Sequence, residues 1–196
     1  MPYFARTFGI EVSGLDYSNV GCDLARAILA KAGVRGTIVK GDMFDPPPEL
    51  IRAFDVVASF GLVEHFEDTS KAIAACARLL RPGGVMVTLI PNFAGLYGWL
   101  YRFINPAIYE IHVPLTRKQL IAAHVGAGMD IIRCRFLLGF PGVMDVEGRS
   151  HAANASAKRR IAARVGRMIW RMEEAGLSIP PNQITSPYIV CYARAA

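Results

Sequence analysis

The chain has 196 residues, of which 53% are hydrophobic and 19% are charged. This composition excludes a disordered chain and predicts one domain over residues 1–196 with a sizeable core. The four cysteines show no CxxC or CxxH spacing, so we expect no disulfide framework and no metal site. Because the opening "MPYFARTFG" is not a secretory signal, the expected location is the cytoplasm.

The net charge of +6 is concentrated in one segment. Between Lys158 and Arg171 lie six basic residues and no acidic ones, and apolar residues recur there with helical periodicity. We predict an amphipathic basic helix within an insertion at about 152–176. Three interpretations of this helix stay open: a solvated face, a contact with an anionic acceptor, or a peripheral contact with an anionic membrane. No RNA-binding module accompanies it, so no nucleic-acid partner is expected.

The first half of the chain alternates strands and helices. A strand in "IEVSGLDYS" ends at Asp16, and Ser18 is placed to begin a helix whose Leu24, Ile28 and Leu29 share one side. A second strand ends at Gly41-Asp42. The third, in "FDVVASFGLVEHF", has a continuous apolar run over 56–58, which is typical of a strand buried on both faces.

The second half continues the same alternation. "DTSKAIAACARLLRPGG" predicts a helix that is capped by Asp68 or Thr69 and ends at the Pro-Gly-Gly turn, after which "VMVTLI" forms the fourth strand. Thr116 and Gln119 have capping-box spacing at the start of another helix, and "DIIRCRFLLGF" and "YIVCYARAA" are the final strands. The order predicts an α/β fold with a parallel sheet.

An aromatic, almost uncharged segment follows the fourth strand at about 91–115. Pro91, Asn92, Gly95 and Gly98 interrupt it. These interruptions argue against a membrane-spanning helix, which needs ~20 predominantly apolar residues. The segment therefore predicts a cover over a site, although ordinary core packing explains part of its helical spacing.

Two carboxylates stand just beyond strand ends, where ligands gather in open α/β sheets. Asp16 follows the first strand, and Asp42 follows the second. A carboxylate there suits a ribose diol or an exocyclic amine, and Met43 suits packing on a purine ring. The alternative, that each aspartate caps the next helix or turn, stays open.

Together, "GLDYS", "KGDMFD", "FDVVASFGLVEHF" and "LLRPGGVMVTLIPN" resemble, in order and spacing, the class I S-adenosylmethionine-dependent methyltransferases of the bacterial small-molecule type. The resemblance covers roughly 1–140 and the final strand, and it implies a Rossmann-like sheet with helices on both faces. It implies S-adenosyl-L-methionine as the cofactor, with ribose at Asp16 and adenine at Asp42 and Met43. The residues that it places at the cofactor are Asp16, Tyr17, Asp42, Met43, Ser59, Phe60 and Gly61.

One family feature has no counterpart in this sequence. The family's glycine-rich ExGxGxG loop and the central strand before it should precede "PYFARTFG", and no segment supplies them. Two interpretations follow: an N-terminally truncated or mis-started form of a normal enzyme, which we favour, or a real short form with an impaired cofactor site.

The expected activity is methyl transfer to a small-molecule acceptor, a small or a lipid- or glycan-linked metabolite, with oxygen or nitrogen favoured as the accepting atom. The catalytic candidates are His112, His65 and Glu64, with His112 preferred as base. The substrate-binding candidates are Tyr97, Trp99, Tyr101 and Tyr109. Two rivals remain: a non-catalytic methyltransferase-like partner subunit, and a nicotinamide-dependent dehydrogenase, which would need a GxGxxG loop that the sequence also lacks.

Overall fold

The computed structural model describes residues 1–139, 164, 167–168, 171, 174–176 and 179–195. Its helices are α1 (Pro2–Phe8), α2 (Asn19–Lys31), α3 (Thr69–Ala77), α4 (Leu96–Ile104), α5 (Pro106–Glu110) and α6 (Arg117–Gly126). Its strands are β1 (Ser13–Asp16), β2 (Thr37–Lys40), β3 (Phe54–Phe60), β4 (Leu80–Pro91), β5 (Met129–Leu137) and β6 (Tyr188–Ala195). The mixed α/β order confirms the predicted fold class. Apart from isolated positions, the predicted basic insertion lies outside the described residues.

The strands form two separate hydrogen-bonded sheets. β1 pairs with β2 in parallel, and a four-stranded sheet has the order β3-β4-β6-β5. β3 is thus an edge strand. The prediction that it is buried on both faces is wrong, because Val56 is 55% exposed and Ala58 is also exposed. Among the described residues, no strand pairs with the outer edge of β3.

The four-stranded sheet is not wholly parallel. β3 and β4 are parallel, whereas β6 runs antiparallel to both β4 and β5. The sequence predicted crossover connections throughout, and the last strand contradicts that. The last residue of β5, Leu137, pairs with the first residue of β6, Tyr188. Because β6 begins at the end of the sheet where β5 stops, it runs back in the opposite direction.

Helix α3 ends earlier than predicted. It begins after Asp68, whose carboxylate accepts the N–H of Lys71 at 2.9 Å, but it ends at Ala77 rather than at the Pro-Gly-Gly turn. The carbonyl of Leu79 accepts the N–H groups of Ala53 and Phe54 at 3.1 Å, and Leu80 is already paired with Phe54. Backbone pairing with β3 therefore draws the "LLRPGG" segment into β4.

The core lies between the four-stranded sheet and helices α3 and α6. Alternate residues of β4 point into it, with Met86 and Ile90 fully buried against Ile73 and Leu120. By contrast, α2 buries Leu29 but leaves Leu24 and Ile28 59% and 48% exposed, because the two-stranded sheet beneath it offers little area. Within the part of the chain that the structure describes, no helix has the length and hydrophobicity needed to cross a bilayer.

Candidate active site

Asp16 is the last residue of β1 and lies against the start of α2. Its Oδ1 accepts the N–H of Ser18 at 2.8 Å, and Ser18 in turn caps the helix by accepting the N–H of Gly21. A Cβ on Gly21 would fall 2.2 Å from Oδ2 of Asp16, so glycine is required where the carboxylate rests on the helix. Asp16 therefore caps the turn that leads into α2, which is one of the two options that the sequence left open, while its Oδ2 makes no hydrogen bond with the described residues.

Asp42 and its neighbours lie beyond β2, at the same edge of the two-stranded sheet. Asp42 is exposed, and its Oδ1 accepts the N–H of Phe44 at 2.9 Å. Met43 is partly buried and packs on the main core, whereas Tyr17 is 81% exposed. Asp16 pairs with Lys40 across the strands, so Asp42 lies two residues beyond that pair. The two carboxylates thus follow neighbouring strand ends, as predicted.

The carboxyl end of β3 carries an unusual buried hydroxyl. Ser59 is 3% exposed, and its Oγ has no hydrogen-bond partner among the described residues. Phe60 is half exposed, and its ring lies 6.3 Å from that of Phe4 in α1. Gly61 has a φ of +66° and donates its N–H to Leu89 at 2.9 Å, so a left-handed turn redirects the chain here.

The 3₁₀ turn Val63–His65 follows this bend and begins a cluster of three titratable groups. Glu64, His65 and His112 each offer one ligand atom, and these atoms lie within 4.8 Å of one another. Glu64 is only 1% exposed, and neither of its carboxylate oxygens has a hydrogen-bond partner among the described residues. Burial raises the pKa of this carboxyl group above its ordinary value. The structure thus brings together all three catalytic candidates.

Backbone contacts orient both histidines. Nδ1 of His65 lies 2.8 Å from the carbonyl oxygen of Ile111, and Nδ1 of His112 lies 2.6 Å from that of Ile108. A carbonyl can only accept, so each Nδ1 carries the proton and a neutral ring keeps its lone pair on Nε2. Burial lowers the pKa of His112, and nearby His65 lowers it further. His112 is therefore neutral near pH 7, with an Nε2 able to accept a proton or a cation.

The aromatic segment packs around Phe93, which is 5% exposed. Four rings surround it at centroid distances of 4.5 to 5.9 Å: those of His112, Tyr101, Tyr97 and Tyr109. Burial raises the pKa of Tyr97, so its hydroxyl stays protonated. Trp99 and Phe103 instead pair with each other on the outside and are 57% and 56% exposed. Of the four predicted substrate-binding residues, three thus pack around Phe93, whose ring also contacts His112, and Trp99 does not.

Gly98 explains how closely helix α4 packs against the backbone of Phe93. A Cβ on Gly98 would fall 1.9 Å from the carbonyl oxygen of Phe93, so only glycine lets the helix rest on that backbone. The support below it comes from Asn92, which is 1% exposed and donates from Nδ2 to the carbonyls of Gln183 and Ser186 at 3.0 and 2.9 Å. The spacing of glycines in the segment thus reflects packing.

The sequence indicated Asn92 only as an interruption of the aromatic segment, and it gave no sign of the backbone contacts before His112. Asn92 stands in "IPN", where only its position after a buried strand could have drawn notice. The carbonyls of Ile108 and Ile111 fix the two histidine tautomers, and the N–H of Val113 donates to the carbonyl of Glu64 at 2.7 Å. Because almost every residue type has the same backbone groups, the sequence gives no signal for these contacts.

The described residues fit the nucleoside part of S-adenosyl-L-methionine, the expected cofactor. Oδ2 of Asp16 and the exposed carboxylate of Asp42 are acceptors for hydroxyl and amine donors, and Met43 lies beside the latter. Ser59 adds a buried hydroxyl without a partner. No glycine-rich loop lies between β1 and β3 in the described part of the chain, so the backbone amides that would face the cofactor's carboxylate are not supplied there.

The first part of the chain matches a known protein family. Residues 1–88 match the sequence profile of the methyltransferase domain family. The ubiquinone biosynthesis O-methyltransferase of Proteus mirabilis is 32% identical over 76 residues, which is 39% of this chain and 31% of that protein. The Vibrio atlanticus protein of the same name is 31% identical over 87 residues, 43% of this chain and 37% of that protein. The chain thus aligns with about a third of these relatives' lengths.

Solved structures support the fold. A methyltransferase from Archaeoglobus fulgidus aligns over 98% of this chain and 92% of its own, with a TM-score of 0.53 and 13% identity. Geranyl diphosphate C-methyltransferase from Streptomyces coelicolor aligns over 98% of this chain and 65% of its own, with a TM-score of 0.61 and 13% identity. Both alignments support the Rossmann-like fold predicted from the sequence.

Proposed function

We propose that this chain, which carries the methyltransferase domain of the class I S-adenosylmethionine-dependent methyltransferases, methylates a hydroxyl group on a small or lipid-linked metabolite. The observation that carries this proposal is the position of Glu64, His65 and His112. They lie beyond the carboxyl end of β3, beside a buried aromatic group centred on Phe93. The name of the two relatives, which specifies an O-methyltransferase, supports oxygen as the accepting atom.

The residues on the cofactor side would position the donor. S-adenosylmethionine supplies an electrophilic methyl group that is displaced in line, so the chain contributes mainly positioning and the exclusion of water. Asp16 would hold the ribose hydroxyls, and Asp42 with Met43 would hold the adenine. Ser59 and Gly61, at the end of β3, would lie beside the methionine part.

On the acceptor side, His112 would remove the proton. Its Nε2 carries a lone pair, because Nδ1 donates to the carbonyl of Ile108. A hydroxyl placed against Nε2 becomes a better nucleophile as its proton is transferred. Tyr97, Tyr101 and Tyr109 would line the acceptor pocket, and the packing of Phe93 against His112 keeps that side dry.

A second candidate function also has an observation in its favour. Among the described residues, β1–β2 and the four-stranded sheet share no strand pairing, the outer edge of β3 is unpaired, and Val56 and Phe60 on one face of that strand are about half exposed. A non-catalytic subunit that completes its sheet only with another polypeptide would show such an edge. The cytoplasmic location and the peripheral contact of 158–171 with anionic membrane or substrate also remain proposals.

The test is transfer of a radiolabelled methyl group from S-adenosylmethionine to a panel of matched phenols and anilines, with and without a prenyl tail. We expect labelling of phenols and a loss of about 100-fold in His112→Gln, the range that general-base catalysis contributes. Trp99→Ala, on the outer face of α4, is the control and should keep its activity. Labelling of anilines alone would refute the oxygen acceptor, and no transfer by a folded chain would favour the partner subunit.

A further inference from the structure

We propose that Glu64, His65 and His112 bind a divalent transition-metal ion. The donor set is one carboxylate and two imidazoles, and its ligand atoms lie within 4.8 Å of one another. Metal–ligand distances of about 2.0–2.2 Å place ligand atoms ~3.4 Å apart in a tetrahedral site, so small side-chain rotations would complete it. A carboxylate with two imidazoles suits Zn²⁺, Co²⁺, Mn²⁺ or Fe²⁺ better than Ca²⁺ or Mg²⁺.

The carboxylate of Glu64 is the strongest argument for a cation. The side chain is 1% exposed, and both oxygens lack a hydrogen-bond partner among the described residues. The ion pairs found in the described ranges join Arg26 to Asp23 and Arg81 to Asp55, so neither reaches Glu64. Burying a carboxylate without any partner is costly, and a bound cation removes that cost directly.

The histidines are already arranged as metal ligands are. Metal-binding histidines usually donate their second ring N–H to a carbonyl or carboxylate, which fixes the tautomer and the direction of the lone pair. Here the Nδ1 atoms of His65 and His112 lie 2.8 and 2.6 Å from the carbonyls of Ile111 and Ile108. Their ring centroids are 4.3 Å apart, so the two imidazoles lie side by side.

The backbone holds the two halves of the site together. The N–H of Val113 donates to the carbonyl of Glu64 at 2.7 Å, next to the contact between His65 and Ile111. Because the segment containing His112 is fixed to the turn containing the other two ligands, the site is largely preformed.

Three protein ligands leave at least one coordination position open. His65 is exposed, so the site is reachable from solvent, and the ring of the buried Phe93 packs edge-on against His112. Binding of the cation does not depend on methyl transfer. Its role does rest on the proposed function: an acceptor hydroxyl bound to the ion would release its proton to solvent more readily, and His112 would then act as a ligand, with solvent in place of His112 as the proton acceptor.

The test is titration of chelator-treated protein with Co²⁺ and Zn²⁺ in the absence of S-adenosylmethionine. Calorimetry should show one ion per chain, and bound Co²⁺ should give the visible absorption of a nitrogen- and oxygen-ligated ion. Glu64→Gln and His112→Gln should weaken binding by about 100-fold or more, since even outer partners of ligands cost 10–100-fold. Glu49→Gln, an exposed carboxylate on a separate turn, should bind as the wild type does.

Absence of Co²⁺ and Zn²⁺ binding by the folded wild type would overturn the proposal, as would unchanged affinity in Glu64→Gln. Nitrogen-15 NMR of the wild type covers the case in which a variant does not fold. Zn²⁺ should shift the Nε2 resonances of His65 and His112, and shifts confined to other histidines would refute the site. A separate titration with S-adenosylmethionine shows whether the proposed function fails independently.

Discussion

His124 gives the sharpest prediction about pH and stability. Its ring is fully buried between α6 and β4, with Nδ1 2.8 Å from the carbonyl of Leu120 and Nε2 2.9 Å from Oγ1 of Thr88. Burial lowers its pKa, so the folded state keeps it neutral where the unfolded state is protonated. Its contribution to stability is therefore present above the unfolded pKa and is lost as pH falls below it.

The magnitude follows from proton linkage. With an unfolded pKa of about 6.5, lowering the pH from 7.5 to 5.5 removes at most ~1.4 kcal/mol of unfolding free energy through this one group. Other groups also titrate, so the quantity to measure is the difference between the wild type and His124→Gln. Urea denaturation at both pH values gives it, and the wild type should lose more than the variant, by up to about 1.4 kcal/mol. Parallel losses in the two proteins would show that His124 is not held neutral.

Three further predictions concern the packing of the aromatic segment and the N-terminal cap of α3. Phe93→Ala should lower the unfolding free energy by about 3–5 kcal/mol, because it empties a buried ring site, whereas Trp99→Ala on the outer face should change it by less than ~1 kcal/mol. Equal effects in urea denaturation would contradict the assignment of these two rings to inside and outside. Gly98→Ala should cost about 1–3 kcal/mol or more, since its Cβ would overlap the backbone of Phe93, and an unchanged melting temperature would refute that contact. Asp68→Ala should cost ~1 kcal/mol by removing the cap bond to Lys71, and helicity by circular dichroism should fall.

Much of the fold could be predicted because local chemistry agrees with the final structure. Ser18, Asp68 and Thr116 cap the helices that the sequence assigned to them, and the first strand ends at Asp16, as predicted. The direction of β6 could not be predicted. The direction depends on the end of the sheet at which the chain enters β6, and no local sequence pattern encodes that end.

The burial of β3 and the arrangement of the site show the same limit. A run of apolar residues predicts a strand buried on both faces, but only the face that carries Val57 packs on the core, and the opposite face, which carries Val56, is left largely uncovered by the described residues. The sequence did single out Glu64, His65 and His112 as reactive residues. It could not show that the carboxylate is unpartnered or that backbone carbonyls orient both rings, because those facts arise only from tertiary contacts.

The central claim is that this chain uses S-adenosylmethionine, and the most direct measurement is calorimetric titration of that molecule into the purified 196-residue chain and its Asp16→Ala variant. Ser18→Ala is the matched control, because it removes the helix cap at α2 and keeps the carboxylate of Asp16. We predict binding near micromolar affinity in the wild type and in Ser18→Ala, and its loss in a folded Asp16→Ala. A folded wild-type chain that does not bind S-adenosylmethionine, or an Asp16→Ala variant that binds it equally well, would contradict the account.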